Sequence, residues 1–271
     1  MAEIKPCIMK SFDPEAPMPN NTHIEDGVSI VITAKSTKDY ILNTLYSIYQ
    51  SIIFSRLSKF EVIVFIDGDP DIYALLKDEQ RKNLIVLYSE RNVGAYVAFN
   101  TAVTYSKYSH VLRFDSDDLM YENMLSELDR FKEDGDIIYC KADLRGRKCL
   151  AVGIIFVKRT IFDYMGGFKP WYCAADRDFY NRASKALKVH VIEDSLLKIV
   201  ERSDSLTHAE DTGSSSHLRS LYHEIMSLTD YNSTNCVIAY KTSPYQVHKV
   251  CVSVDETDDV IKNCEEVKKM E

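Results

Sequence analysis

No stretch of about 18 consecutive apolar residues occurs in this chain, and the longest apolar run, 150–157, is too short to cross a bilayer. No transmembrane segment is therefore expected. The opening residues, MAEIKPCIMK, lack the basic start and apolar core of a signal peptide, so the expected location is cytoplasmic. The seven cysteines include no CxxC pair to suggest a zinc ribbon, and reduced thiols are the simpler reading. Basic charge is not in surplus either. The net charge of -8 leaves no electrostatic footprint for generic nucleic-acid binding and gives mild repulsion from anionic membranes. Tryptophan occurs once, at Trp171.

What is present is an ordinary globular composition, 45% hydrophobic and 27% charged over 271 residues, enough for one large domain or a domain with an appendage. Residues 1–27 hold four of the seven prolines and read as a surface arm. Residues 28–33 (VSIVIT) form a β-branched run suited to a strand buried on both faces. Thr37 and Asp39 offer N-cap oxygens to a helix in which Ile41, Leu45, Ile48 and Ile52 recur at helical spacing. Strands are expected at 61–66, 83–88 and 110–114, with helices over 72–82 and from Asn92 to about Lys107. This β-α-β-α-β-α-β order predicts an α/β fold with a parallel, helix-covered sheet.

The second half predicts a helix at 122–132, strands at 137–140 and 150–157 flanking the basic run Arg145 to Lys148, and a helix over CAADRDFYNRASKAL. Short strands follow at 189–192 and 196–200. TGSSS at 212–216 is the strongest linker signal. Beyond it the pattern gives a helix at 218–228, strands at 236–240 and 246–254, and a terminal helix from Thr257.

The sharpest feature is VLRFDSDDLM at 111–120, where an apolar strand runs into Asp115, Asp117 and Asp118. A strand ending in acids delivers them to the sheet rim, where open α/β sheets bind ligands. Converging carboxylates repel unless a cation intervenes, and their hard oxygens suit magnesium or manganese. The plain alternative is a strand end that caps the next helix. A second acidic turn, Asp67 to Asp71, belongs on the same rim and weighs against that alternative.

The succession VSIVIT, EVIVFIDGDPD, ERNVGAYVAFNTA, VLRFDSDDLM, GGF and AADRDFYNRA resembles an inverting nucleotide-sugar glycosyltransferase of family 2, with the GT-A fold, over roughly residues 28–208. The resemblance implies a nucleotide-binding half at 28–118 and an acceptor half at 119–210; beyond it, 211–271 reads from its own pattern as a C-terminal α+β extension. It implies that Asp67 hydrogen-bonds the donor base, that Arg91, Asn92 and Gly94 border the base, and that Thr33 and Lys35 line the donor. Asp115 and Asp117 match the outer acids of a DXD motif, for the ribose and for a Mn2+ or Mg2+ ion at the diphosphate. Asp118 braces the next helix. Asp176 matches the general base, with Asp178 as second choice because Ala175 stands where the family has glutamate.

Arg202 is assigned to the diphosphate because guanidinium binds phosphate oxygens in a bidentate way. His208 would complete the metal shell, with His217 as an alternative if TGSSS folds over the site, and Trp171 would stack on the acceptor. The donor is a nucleotide sugar, UDP-sugars favoured. The acceptor is a glycan, a protein, a small molecule or a modified nucleic-acid base. Two rivals stand beside this reading. A nucleotidyltransferase would carry a glycine-rich loop after the first strand, which TAKSTKD lacks. A non-catalytic binding module is suggested by Ala175.

Overall fold

The computed structural model describes residues 24–229, residue 231 and the backbone of 250–254. Strands β1 (Glu25–Ala34), β2 (Phe60–Asp67), β3 (Leu84–Ser89) and β4 (Tyr108–Asp115) are parallel and adjacent in the order β3-β2-β1-β4. Their continuous apolar sequence follows from burial on both faces. Ile30, Ile32, Val62, Val64 and Ile66 face one core, while Val31, Ile63 and Phe65 alternate into the other. Helices cover both layers.

Helix α1 (Ile41–Ser55) packs on the first face through Ile41, Leu45 and Ile48, each fully buried. Truncating any one to alanine costs about 2–5 kcal/mol. Its start departs from the expected capping. Tyr40 is the N-cap and makes no side-chain cap bond, while the Thr37 carbonyl accepts the Tyr40 and Ile41 N–H groups, both at 2.9 Å. Helices α2 (Pro70–Leu76) and α3 (Ala95–Thr104) are shorter than the pattern suggested. Asp69 caps α2 through the Asp71 and Ile72 amides, at 3.1 and 3.0 Å.

The second half consists of β5 (Leu119–Met120), α4 (Met124–Phe131), β6 (Ile137–Leu144), β7 (Arg147–Leu150), β8 (Phe156–Lys158), α5 (Arg159–Tyr164), α6 (Ala175–Ala186), β9 (Val189–Lys198) and α7 (His217–Leu228). With β10 (Val250–Val254) antiparallel to β3, the sheet order is β10-β3-β2-β1-β4-β8-β6-β9-β5, and β7 pairs with β6. The α/β expectation is met, with antiparallel pairings confined to the later strands and the β10 edge.

Several expected boundaries are corrected. The apolar run 150–157 is not one strand, because residues 151–155 leave the ladder and only β8 pairs with β4. The two short strands at 189–200 are one strand, β9, whose register against β6 shifts on either side of Lys141. The basic run is a hairpin in which Arg145 and Gly146 both take positive φ, 50° and 74°. Arg145 pairs with Glu201, and Lys148 lies 3.9 Å from Asp194, so these charges are largely answered within the chain. TGSSS is folded turn structure: Thr212 and Ser216 are buried, and the Ser216 hydroxyl caps α7.

The expected arm, apart from residues 24–27, lies outside the described residues, as do the strand at 236–240 and the terminal helix. Cys140, Cys149 and Cys173 are free thiols. Among the described residues no helix is long and apolar enough to cross a membrane.

Candidate active site

The parallel register brings the acids to one rim. Thr33 at the end of β1 stands beside Asp115 at the end of β4, and Asp67 ends β2 opposite Ser89. The turn after β4 is clamped by α1. Thr44 donates its hydroxyl to the carbonyls of Ser116 and Asp118, at 3.1 and 2.9 Å. Ser47 and Ser51 accept the Met120 and Leu125 amides, at 3.0 and 3.2 Å. Sequence reasoning passed over these hydroxyls. Their signal was present, since spacings of three and four put them on one face of an otherwise apolar helix.

Each outer acid of the turn meets an arginine. The Arg113 guanidinium lies 2.8 Å from Asp115 Oδ1, and Arg202 Nε lies 2.7 Å from Asp117 Oδ2. Arg113 also donates to the Gly153 carbonyl, and the Phe99 and Phe168 rings are each 6.0 Å from its guanidinium carbon. Burial pushes Asp115 above the usual carboxylate range; Arg113 opposes this, and the Asp117 and Asp176 charges add to it. Asp118 is buried and driven up to about 8, by burial first and the Asp115 charge second. Its Oδ1 accepts the Val200 amide at 3.0 Å, so it braces the chain after β9 rather than α4, whose N-cap is Asn123.

Asp67 is buried and gives its two oxygens to the Val93 and Gly94 amides, at 2.6 and 3.0 Å. Burial raises its pKa against the pull of those bonds. Asp67 thus anchors the loop, Arg91 to Gly94, that the resemblance sets beside the donor base. Gly68, at φ +72°, allows the close approach, since a Cβ there would lie 2.5 Å from the Asn92 nitrogen. Arg91, Asn92 and Lys35 are exposed at this rim.

Asp176 and Asp178 separate cleanly. Asp178 is completely buried, held by Lys169 at 2.6 Å, Arg182 at 2.9 Å and the Tyr231 hydroxyl at 3.1 Å. It is a structural ion-pair centre. Asp176, in the first turn of α6, accepts the Tyr96 hydroxyl on Oδ1 at 3.0 Å. A Cβ built on Gly153 would be 3.5 Å from Oδ2 of Asp176 and 3.5 Å from Oδ2 of Asp115. The two carboxylates thus face one small space, their Oδ2 atoms no more than about 7 Å apart by the sum of those two distances.

Other expected residues fall elsewhere. Trp171 is buried to 9% exposure and stacks on Tyr222 at 4.4 Å and 4°, with the Lys169 ammonium 4.7 Å from its ring, so it serves packing. His208 is exposed and bonded to Ser205 at 2.8 Å, and His217 is exposed at the start of α7. Among the described residues no three His, Cys, Asp or Glu side chains group to hold a metal. A divalent cation still fits the rim. Arg113 and Arg202 each engage one oxygen of Asp115 and Asp117, leaving Asp115 Oδ2 and Asp117 Oδ1, and magnesium-type ions commonly take one or two carboxylates plus substrate phosphates. Arg202 itself is tied to Asp117, to the Ser36 carbonyl at 2.7 Å and to Asp204 at 3.1 Å.

Residues 29–150, which hold β1 to β7 and the acidic turn, match the family model described as glycosyl transferase family 2. That match covers a little under half of the chain. An uncharacterized glycosyltransferase of Rickettsia bellii is 27% identical over 113 residues, covering 41% of this chain and 16% of that protein. S. aureus TarS 1-349 with UDP-GlcNAc superposes with a TM-score of 0.57 at 20% identity, over 66% of this chain and 60% of that one. The Pyrobaculum calidifontis mannosyltransferase PcManGT with GDP-Man and Mn2+ gives 0.56 at 15% identity, over 72% and 60%. The chain therefore spans about a sixth of the curated relative and about three fifths of these solved chains. At such identities the likeness to these solved chains concerns the fold alone, that of GT-A glycosyltransferases.

Proposed function

We propose that this chain is an inverting glycosyltransferase that moves a sugar from a nucleoside diphosphate sugar, UDP-sugars favoured, to an acceptor hydroxyl. The observation that carries the reading is the pair Asp115 and Asp176 facing the same space beside Gly153. The acceptor hydroxyl gives its proton to Asp176 Oδ2 while its oxygen bonds to the anomeric carbon. The bond from that carbon to the diphosphate breaks on the opposite face, and its electron pair leaves with the nucleoside diphosphate. The anomeric configuration inverts.

Charge supports a cation requirement. Directly at the acidic turn three carboxyl groups, Asp115, Asp117 and Asp176, stand with two guanidinium groups, Arg113 and Arg202. A polyanionic diphosphate enters such a rim more readily with a divalent ion. Asp115 and Asp117 would hold Mn2+ or Mg2+, which would neutralise charge on the departing diphosphate. Magnesium-type ions commonly take one or two carboxylates and fill the rest of their coordination with substrate phosphates and water. Arg202 is close enough to Asp117 to exchange that carboxylate for phosphate oxygens.

UDP, UDP-GlcNAc and GDP-Man, the ligands of the solved relatives, form the first donor panel. The test measures thermal stabilisation by UDP- and GDP-sugars with and without Mn2+, followed by transfer and the anomeric configuration of the product. The expected result is metal-dependent stabilisation by one donor and an inverted product. Stabilisation by no donor, or a product with retained configuration, would sink the reading.

A further inference from the structure

Tyr96 is a phenol in a phenylalanine cluster. Its ring packs on Phe168 at 5.4 Å, and Phe168 contacts Phe99, Phe162 and Phe179 at 5.4, 5.6 and 5.0 Å. Phenylalanine would fill this place equally well, so the hydroxyl is the only polar atom that Tyr96 brings to the cluster. A buried phenol needs a partner. Tyr96, 4% exposed, donates to Oδ1 of Asp176 at 3.0 Å, and the Arg177 amide donates to the same oxygen at 2.9 Å.

Both donors therefore lie on one side of the carboxylate. The other oxygen, Oδ2, is turned toward Gly153 and Asp115. The terminal torsion of an aspartate is broad and two-fold, so an unrestrained carboxylate does not choose which oxygen it presents. We infer that Tyr96 is a positioning residue that fixes the plane of Asp176 and selects Oδ2 as the oxygen presented to the acceptor hydroxyl. The inference rests on the reading of Asp176 as the base. Burial, and then the Asp176 charge, hold the phenol well above its ordinary value, which keeps it protonated and donating throughout the neutral range.

The test compares the full chain with Tyr96→Phe, using UDP-GlcNAc and GDP-mannose with Mn2+ as donors and reading transfer, donor KM and melting temperature. Loss of a hydrogen bond to a charged group should lower kcat about tenfold. The donor KM should stay unchanged, because no donor contact is removed, and the melting temperature should fall by no more than several degrees, because one hydrogen bond is lost and the ring is kept. In an Asp176→Asn background, adding Tyr96→Phe should alter residual turnover less than twofold, since the hydroxyl acts through that carboxylate. A kcat within twofold of wild type overturns the inference, as does a loss expressed in donor KM or repeated in the Asp176→Asn background. A wild-type chain that transfers sugar from neither donor overturns the reading of Asp176 and this inference with it. An active wild type with an unaffected variant overturns the inference alone.

Discussion

Replacing Asp178 by asparagine removes the carboxylate of α6 that lies against Lys169 and Arg182. Asp178 is completely buried, and the two cationic side chains beside it are 8% and 2% exposed, so water cannot replace the lost carboxylate. Breaking a buried pair by neutralising one partner costs about 3–5 kcal/mol. For a domain of this size each kcal/mol moves the melting temperature by about 2–4 °C, so the drop should be on the order of 10 °C. Asp176→Asn should behave in the opposite way. Its carboxylate is only partly buried, and the amide oxygen can still accept the Tyr96 hydroxyl, so stability should stay within a few degrees while transfer falls by about 10²–10⁴. Differential scanning fluorimetry and a transfer assay on both variants decide the matter. An Asp178→Asn protein that melts with wild type yet fails to transfer would reverse the two roles, and normal turnover in Asp176→Asn would remove it as the base.

Two further outcomes follow from the same rim. Gly153→Ala would put a methyl 2.9 Å from Arg113 Nη1 and within 3.5 Å of Asp115 and Asp176, so transfer should fall at least tenfold while a thermal-shift assay still detects nucleotide binding; full activity would mean that the space beside Gly153 is not where the acceptor reacts. Asp118 rises from its ordinary 3.8 to about 8 on folding, so the folded state holds the extra proton and loses stability as pH climbs from about 4 to 8. Asp118→Asn keeps an acceptor for the Val200 amide but cannot ionise, and its melting temperature should fall less over that window than the wild type's. Parallel pH curves for the two proteins would refute the assignment. Asp67 and Asp115 are raised in the same sense, so some slope should persist in the variant.

The first half of the fold was legible because its signals are local. Strands such as VSIVIT and EVIVFI are buried on both faces and read as unbroken apolar runs, and α1 repeats its core residues at helical spacing. The second half was misread where tertiary demands override local pattern. Residues 151–155 are as apolar as a strand, yet the chain turns at Val152 and Gly153, where the Gly153 carbonyl accepts from Arg113. TGSSS has linker chemistry, yet Thr212 is buried, its hydroxyl bonded to the Leu206 carbonyl at 3.0 Å.

By itself the sequence determined the α/β class, the order of the parallel strands' sequence elements and the presence of acids just past two strand ends, because strand periodicity and strand-terminal residues need no distant contact to be read. Only the tertiary structure decided which contacts each acid makes. Asp67, Asp118 and Asp178 are chemically the same as Asp115, Asp117 and Asp176, and nothing in their neighbouring letters separates them. Burial and partners do: Asp67 holds a loop, Asp118 holds the Val200 amide and Asp178 holds two cations, each already committed within the fold. Asp115 and Asp176 come from segments some sixty residues apart and meet only because α6 brings its first turn back to the end of β4.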